Sequence, residues 1–121
     1  ELFRVTGDYY SILRFPFGSN NRTYKLTKTM VDCVHQNGFT IYDWTQDTLD
    51  GANPNSPPEQ ILNRAISTKD TVVILMHTSN ININSAKALP SIIKYYKAQG
   101  YIFKKITSHT DEIYKITKPN C

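Results

Sequence analysis

Three short stretches of this chain end in side chains that could move a proton or hold an anion. Ile12-Leu13 runs into Arg14, and Pro16 and Gly18 then turn the chain away. Thr40-Ile41-Tyr42-Asp43-Trp44 is followed by Asp47 and Asp50, and Val72-Val73-Ile74-Leu75-Met76 delivers His77. An imidazole titrates near neutral pH and can act as a general acid or base. A carboxylate beside it can orient the ring and stabilise its charged form. A guanidinium supplies a charge-assisted partner to a further carboxylate or phosphate. These are the parts of hydrolytic acid–base chemistry. Plainer roles exist for each: a strand-end histidine, aspartates that cap a loop, a surface arginine. A metal site of Asp47, Asp50 and His77 is conceivable from ligand types alone.

Such groups meet only if their strands end together. The run Thr71–Met76 lacks alternation, which predicts a strand covered on both faces. Phe39–Trp44 reads as another strand and Tyr101–Ile106 as a fourth. Between them, Leu26, Met30, Cys33 and Val34 recur at helical spacing and stop at Asn37-Gly38. Ser56-Pro57-Pro58-Glu59 has the form of a capped helix start, with Ile61, Leu62, Ala65 and Ile66 as its buried stripe. Leu89, Ile92, Ile93 and Tyr96 mark a third helix ending at Gly100, which Pro90 should delay or kink. Polar loops fill 45–56 and 78–84, the first long enough to be functional. Glu1–Gly7 reads as the end of a helix, and 107–121 as a polar tail with Ile113 and Ile116 as a short apolar repeat.

Alternating strands and helices with right-handed crossovers predict an α/β fold: a parallel sheet with covering helices. Sites in such sheets lie at the carboxyl ends of the strands. Four strands cannot close a barrel, so one edge should stay open.

Composition bounds the function. A chain of 121 residues, 40% hydrophobic and 20% charged, fits one globular domain. Its net charge of +4 is spread without a basic patch, which argues against nucleic acid as a partner. No apolar run approaches the ~20 residues needed to span a bilayer. Eight Tyr and five Phe suit either a polymer groove or core packing. Cys33 falls in a helical pattern as a small core residue, and its spacing to Cys121 suggests neither a metal knuckle nor a redox pair. The opening Glu1-Leu2-Phe3-Arg4, without Met, suggests a fragment or a processed chain.

From about Val5 to Ile106 the chain resembles the second half of the polysaccharide deacetylases, carbohydrate esterases with a NodB homology domain. It is most similar in kind to the peptidoglycan N-acetylglucosamine deacetylases of Gram-positive bacteria. Arg14-Phe15-Pro16-Phe17-Gly18 looks like the family's Arg-x-Pro-x-Gly turn. Trp44-Thr45-Gln46-Asp47-Thr48-Leu49-Asp50 is similar to the motif in which two aspartates follow a strand-ending tryptophan. Leu75-Met76-His77 looks like Leu-x-His, and Ala88-Leu89-Pro90 with Gly100-Tyr101 resembles the closing helix and strand. Gly51 stands where many relatives carry a groove tryptophan, and Thr78 where many carry aspartate. The family's amino-terminal motifs, an aspartate pair and His-x-x-x-His, have no counterpart here.

The resemblance implies one carboxyl-terminal half, residues 1–121, of a distorted seven-stranded (β/α) barrel. Its implied activity is metal-dependent removal of N-acetyl groups from an amino-sugar polymer, peptidoglycan or a chitin-like glycan. By the same resemblance His77 is the general acid, Asp50 holds and tunes it, and Arg14 positions a base outside this segment. The Phe17 backbone N–H would help hold the oxyanion. Leu75 and Trp44 would line the wall that receives the acetyl methyl, and Asp47 belongs to the substrate side. A divalent metal, zinc or similar, is implied for the complete domain and none for this segment, which alone should be inactive. Expected partners are the N-acetylated glycan and either the amino-terminal half or a second copy covering the open edge, with an extracellular or cell-surface location at a bacterial wall. The alternative function is a non-catalytic glycan-binding or interaction module descended from such an enzyme.

Overall fold

The computed structural model describes residues 11–116, so the helix end expected at Glu1–Gly7, Cys121 and the last part of the tail lie outside the described residues. The chain divides into two compact units, Glu1–Asp43 with Lys105–Cys121 and Trp44–Lys104.

In the first unit, β1 (Ile12–Leu13) and β2 (Thr40–Ile41) pair in parallel, Ile12 opposite Thr40 and Leu13 opposite Ile41. They are connected through α1 (Lys28–Gln36), whose N-cap Thr27 accepts a hydrogen bond from the Met30 N–H at 3.3 Å. Leu26, Val31 and Ile41 form the core, with Phe15, Val34 and Tyr114 against it. Cys33 is exposed, not buried. Because α1 turns Val31 and Val34 inward, Met30 and Cys33 fall on its outer side. Arg14, at the end of β1, is exposed as well, in the manner of a surface strand-end charge.

The segment after 107 is no loose tail within the described residues. Ile113 bridges Tyr42 in parallel, accepting from the Asp43 N–H at 2.6 Å and donating to the Ile41 carbonyl at 3.1 Å. Glu112 accepts from the Ile41 N–H at 2.8 Å, so β2 is bonded on both edges. Tyr114, packed against the core of this unit, gives the return its apolar contact.

In the second unit, β3 (Gln46–Asp47) pairs in parallel with β4 (Ile74–Leu75), Asp47 opposite Leu75. Among the described residues the strands thus form two two-stranded parallel sheets, where one four-stranded sheet was expected. The loop expected over 45–56 contains a strand, and Tyr101–Ile106 forms no strand among the described residues. A strand needs a partner edge; here Ile102 stays 80% exposed. The run 71–76 is only half-buried, not covered on both faces.

Helix α2 (Pro58–Ala65) packs on α3 (Ile83–Ala98) through Ile61, Ala65, Ala88, Ile92 and Tyr96. Pro90 lies inside α3 and neither delays nor ends it. Both Pro90 and Ala86, whose carbonyl loses its partner, are on the exposed side, where water can serve instead. Leu89 is 43% exposed, so the buried row is Ser85, Ala88, Ile92 and Tyr96. Ser56 does not cap α2: the N-cap position is Pro57, without a side-chain bond, and Ser56 instead accepts from Arg64. Among the described residues no helix is long and apolar enough to cross a membrane.

Ile92→Ala should cost about 2–5 kcal/mol and Leu89→Ala less than about 0.5 kcal/mol, as read from urea denaturation midpoints.

Candidate active site

Asp47 sits on β3, and its Oδ1 accepts from the Leu49 N–H at 2.8 Å, closing an Asx turn. Leu49 is left-handed, with φ of 58°, an unfavourable setting for a branched side chain that sharply redirects the chain. Thr48 holds the turn to β4 by donating from Oγ1 to the Leu75 carbonyl at 2.9 Å. Asp50 follows, fully buried. Its Oδ1 lies 2.7 Å from His77 Nδ1. Its Oδ2 accepts from the His77 backbone N–H at 2.8 Å and from Ser85 Oγ at 2.6 Å. Asn82, buried at the N-cap of α3, donates to the Asp50 carbonyl at 3.1 Å.

Burial alone pushes the Asp50 carboxyl up. Hydrogen bonds from the Ser85 hydroxyl, the His77 backbone N–H and its imidazole outweigh that and hold it below the usual aspartate range. The His77 side chain is 43% exposed. With Nδ1 engaged by Asp50, Nε2 is the ring nitrogen left to exchange a proton with a substrate. The geometry is that of an oriented imidazole backed by an ionised carboxylate. Beside it, a Cβ built on Gly51 would fall 2.7 Å from His77 Cε1.

Of the other residues expected in the site, Leu75 on β4 and Trp44 at the start of this unit are half-buried. Arg14 and Phe17 belong to the first unit. There the turn after β1 closes with Gly18 N–H on the Phe15 carbonyl at 2.9 Å, Phe17 left-handed at φ of 65° and 76% exposed. Asp43 fixes this turn by accepting from the Ser19 N–H at 3.0 Å and from its hydroxyl. Among the described residues no three His, Cys, Asp or Glu side chains converge to hold a metal ion. The Asp47, Asp50 and His77 set does not fit one, since Asp47 is spent on its turn and Asp50 on donors.

No family model matches the sequence. The chain is 33% identical over 106 residues to a peptidoglycan-N-acetylglucosamine deacetylase of Bacillus cereus, a match spanning 83% of this chain and 37% of that protein. The catalytic domain of a peptidoglycan N-acetylglucosamine deacetylase from Eubacterium rectale superposes with a TM-score of 0.79 at 28% identity, over 98% of this chain and 56% of that one. A polysaccharide deacetylase from Bacillus cereus gives 0.76 at 29% identity, over 93% and 55%.

The chain belongs to the polysaccharide deacetylases, as a partial segment. It spans about a third of the length of the curated relative and just over half of each solved deacetylase chain. The α/β class expected from the strand–helix order holds, as part of a deacetylase (β/α) barrel.

Within this deacetylase segment, sequence reasoning singled out both members of the Asp50–His77 pair but passed over Ser85, Asn82 and Thr48. Ser85 left a signal: it is the polar position in a row that is otherwise Ala88, Ile92 and Tyr96.

A carboxyl depressed by folding stabilises the protein at pH above its ordinary value of 3.8, and that contribution vanishes as pH falls through the lower folded value. Urea midpoints should therefore drop below about pH 4. Asp50→Asn should flatten that acid limb, and Ser85→Ala should lose about 2 kcal/mol at neutral pH.

Proposed function

We propose that this chain provides the proton-donating half of a metal-dependent deacetylase that hydrolyses N-acetyl groups on an amino-sugar polymer, peptidoglycan or a chitin-like glycan. The observation that carries the reading is the buried, ionised Asp50 carboxylate bonded to Nδ1 of a half-exposed His77. It is supported by relatives whose names describe deacetylation of peptidoglycan.

Amide cleavage leaves an amine that departs only if it is protonated. His77 Nε2 donates that proton as the carbon–nitrogen bond breaks, while Nδ1–H stays on Asp50. The carboxylate, ionised at neutral pH, stabilises the imidazolium before transfer. Leu75 and Trp44 form the apolar wall for the acetyl methyl, and Asp47 shapes the turn that presents Asp50. For the first unit the reading rests on the resemblance: the Phe17 N–H helps hold the oxyanion, and Arg14 positions the base. The described residues do not fit the metal the family implies, and no step is assigned through it. Base and metal ligands then belong to the amino-terminal half of the domain, with the glycan at a bacterial cell surface.

Acetate release from acetylated chitin oligomers tests this. The chain alone, with divalent metal added, should release none, and turnover would overturn the division of labour. In the whole deacetylase domain of which it forms part, His77→Ala should lower kcat by about 10²–10⁴-fold. Glycan binding without any turnover there would favour a binding module instead.

A further inference from the structure

We propose that Tyr24 is a positioning residue for the oxyanion donor: its hydroxyl holds the Pro16 carbonyl and so aims the N–H of Phe17, on the far side of the same peptide group. The catalytic weight of this rests on the reading of the Phe17 N–H as an oxyanion donor; the structural part does not.

The turn after β1 is bonded on nearly every side. The Phe15 carbonyl accepts from the Gly18 N–H at 2.9 Å, and the Gly18 carbonyl from Asn21 Nδ2 at 2.9 Å. The Ser19 N–H donates to Asp43, and the Ser19 carbonyl accepts from the Leu26 N–H at 3.0 Å. The Pro16 carbonyl accepts from the Tyr24 hydroxyl. Against this, the Phe17 N–H makes no hydrogen bond among the described residues. It is carried by a left-handed residue, an unfavourable backbone for anything but glycine. The Phe17 side chain is 76% exposed, so its own packing does not explain that conformation. What the turn presents is a free backbone donor.

The Pro16–Phe17 peptide is trans and planar, so its C=O and N–H point in opposite directions. Fixing the oxygen therefore fixes the line of the N–H. A hydroxyl bonded to an amide oxygen also draws electron density from the nitrogen, which makes the N–H a stronger donor. Tyr24 is itself anchored. Asn21 Oδ1 accepts from the Tyr24 N–H at 2.9 Å while Nδ2 of the same side chain holds the Gly18 carbonyl. One asparagine thus ties the tyrosine to the turn that it grips. The Tyr24 ring lies beside that of Phe15, with centroids 6.3 Å apart. Removing the hydroxyl alone leaves all of these anchors in place.

NMR on the full chain reads the contact and its direction. Tyr24→Phe should move the Pro16 carbonyl carbon and the Phe17 amide nitrogen upfield, as loss of a bond to that oxygen requires. The residual dipolar coupling of the Phe17 N–H should change, while those of Gly18 and Ser19 keep their values. The urea midpoint should stay close to that of the unaltered chain. An unchanged Phe17 coupling overturns the proposal; so does unfolding of Tyr24→Phe, which would make the hydroxyl a prop of the fold.

In the whole deacetylase domain, Tyr24→Phe should lower kcat about 10-fold with KM little changed, less than the roughly 10²–10³-fold cost of losing an entire oxyanion donor. Replacing Phe17 by phenyllactic acid deletes the N–H outright and separates the two claims. If that deletion lowers kcat and Tyr24→Phe does not, the positioning falls. If Tyr24→Phe alone lowers it, Tyr24 acts by another route and the proposal falls as well. If neither lowers it while the NMR changes are present, the oxyanion reading of Phe17 fails and the positioning of the peptide stands.

Discussion

A buried carboxylate that must stay ionised is the constraint on which the second unit depends. Asp50 has no contact with solvent, and an unpaired charge there would be ruinous. It is tolerated because donors reach it from separate pieces of chain: the end of β4 and the first turn of α3. Each piece is fixed in turn. The register of β3 against β4 sets Asp47 opposite Leu75, and Thr48 bonds that strand's carbonyl. Asn82 fastens the start of α3 to the Asp50 backbone. The left-handed Leu49 is an unfavourable conformation that this network over-determines. Strand register, helix start and turn geometry all answer to one charge.

That network fixes how the strand-end histidine is held, through both its backbone N–H and its ring. A ring held only by packing could face either nitrogen outward. Because the ionised Asp50 carboxylate can only accept, Nδ1–H donates to it and Nε2 is the nitrogen left over. What the segment itself shows is an imidazole oriented by an ionised carboxylate.

Much of this was legible from residue order. The α/β class follows from alternating patterns, and residue order puts Asp50 and His77 each after a strand-like run, but it was the family resemblance that paired them. The failures have physical causes. Leu89 was placed in the core because apolar type was read without phase; Ser85, one turn earlier on the buried row, decides the phase and is polar for a reason no single-residue rule reveals. Cys33 failed likewise. Pro90 does not delay the helix, since a missing N–H on an exposed helix face is easily compensated. Tyr101–Ile106 has strand composition, but pairing depends on a neighbour that sequence pattern cannot supply.

The first unit is built from both ends of the described chain. Ile41 at β2 is bonded to Glu112, 71 positions further on, and Asp43 to Ile113. The second unit uses only residues between Trp44 and Lys104. During synthesis, then, β1 and β2 emerge before the residues that bond the second edge of β2, and the stretch from Trp44 to Lys104 is made in between. The piece bearing Arg14 and Phe17 is closed only after Glu112 and Ile113 have been added.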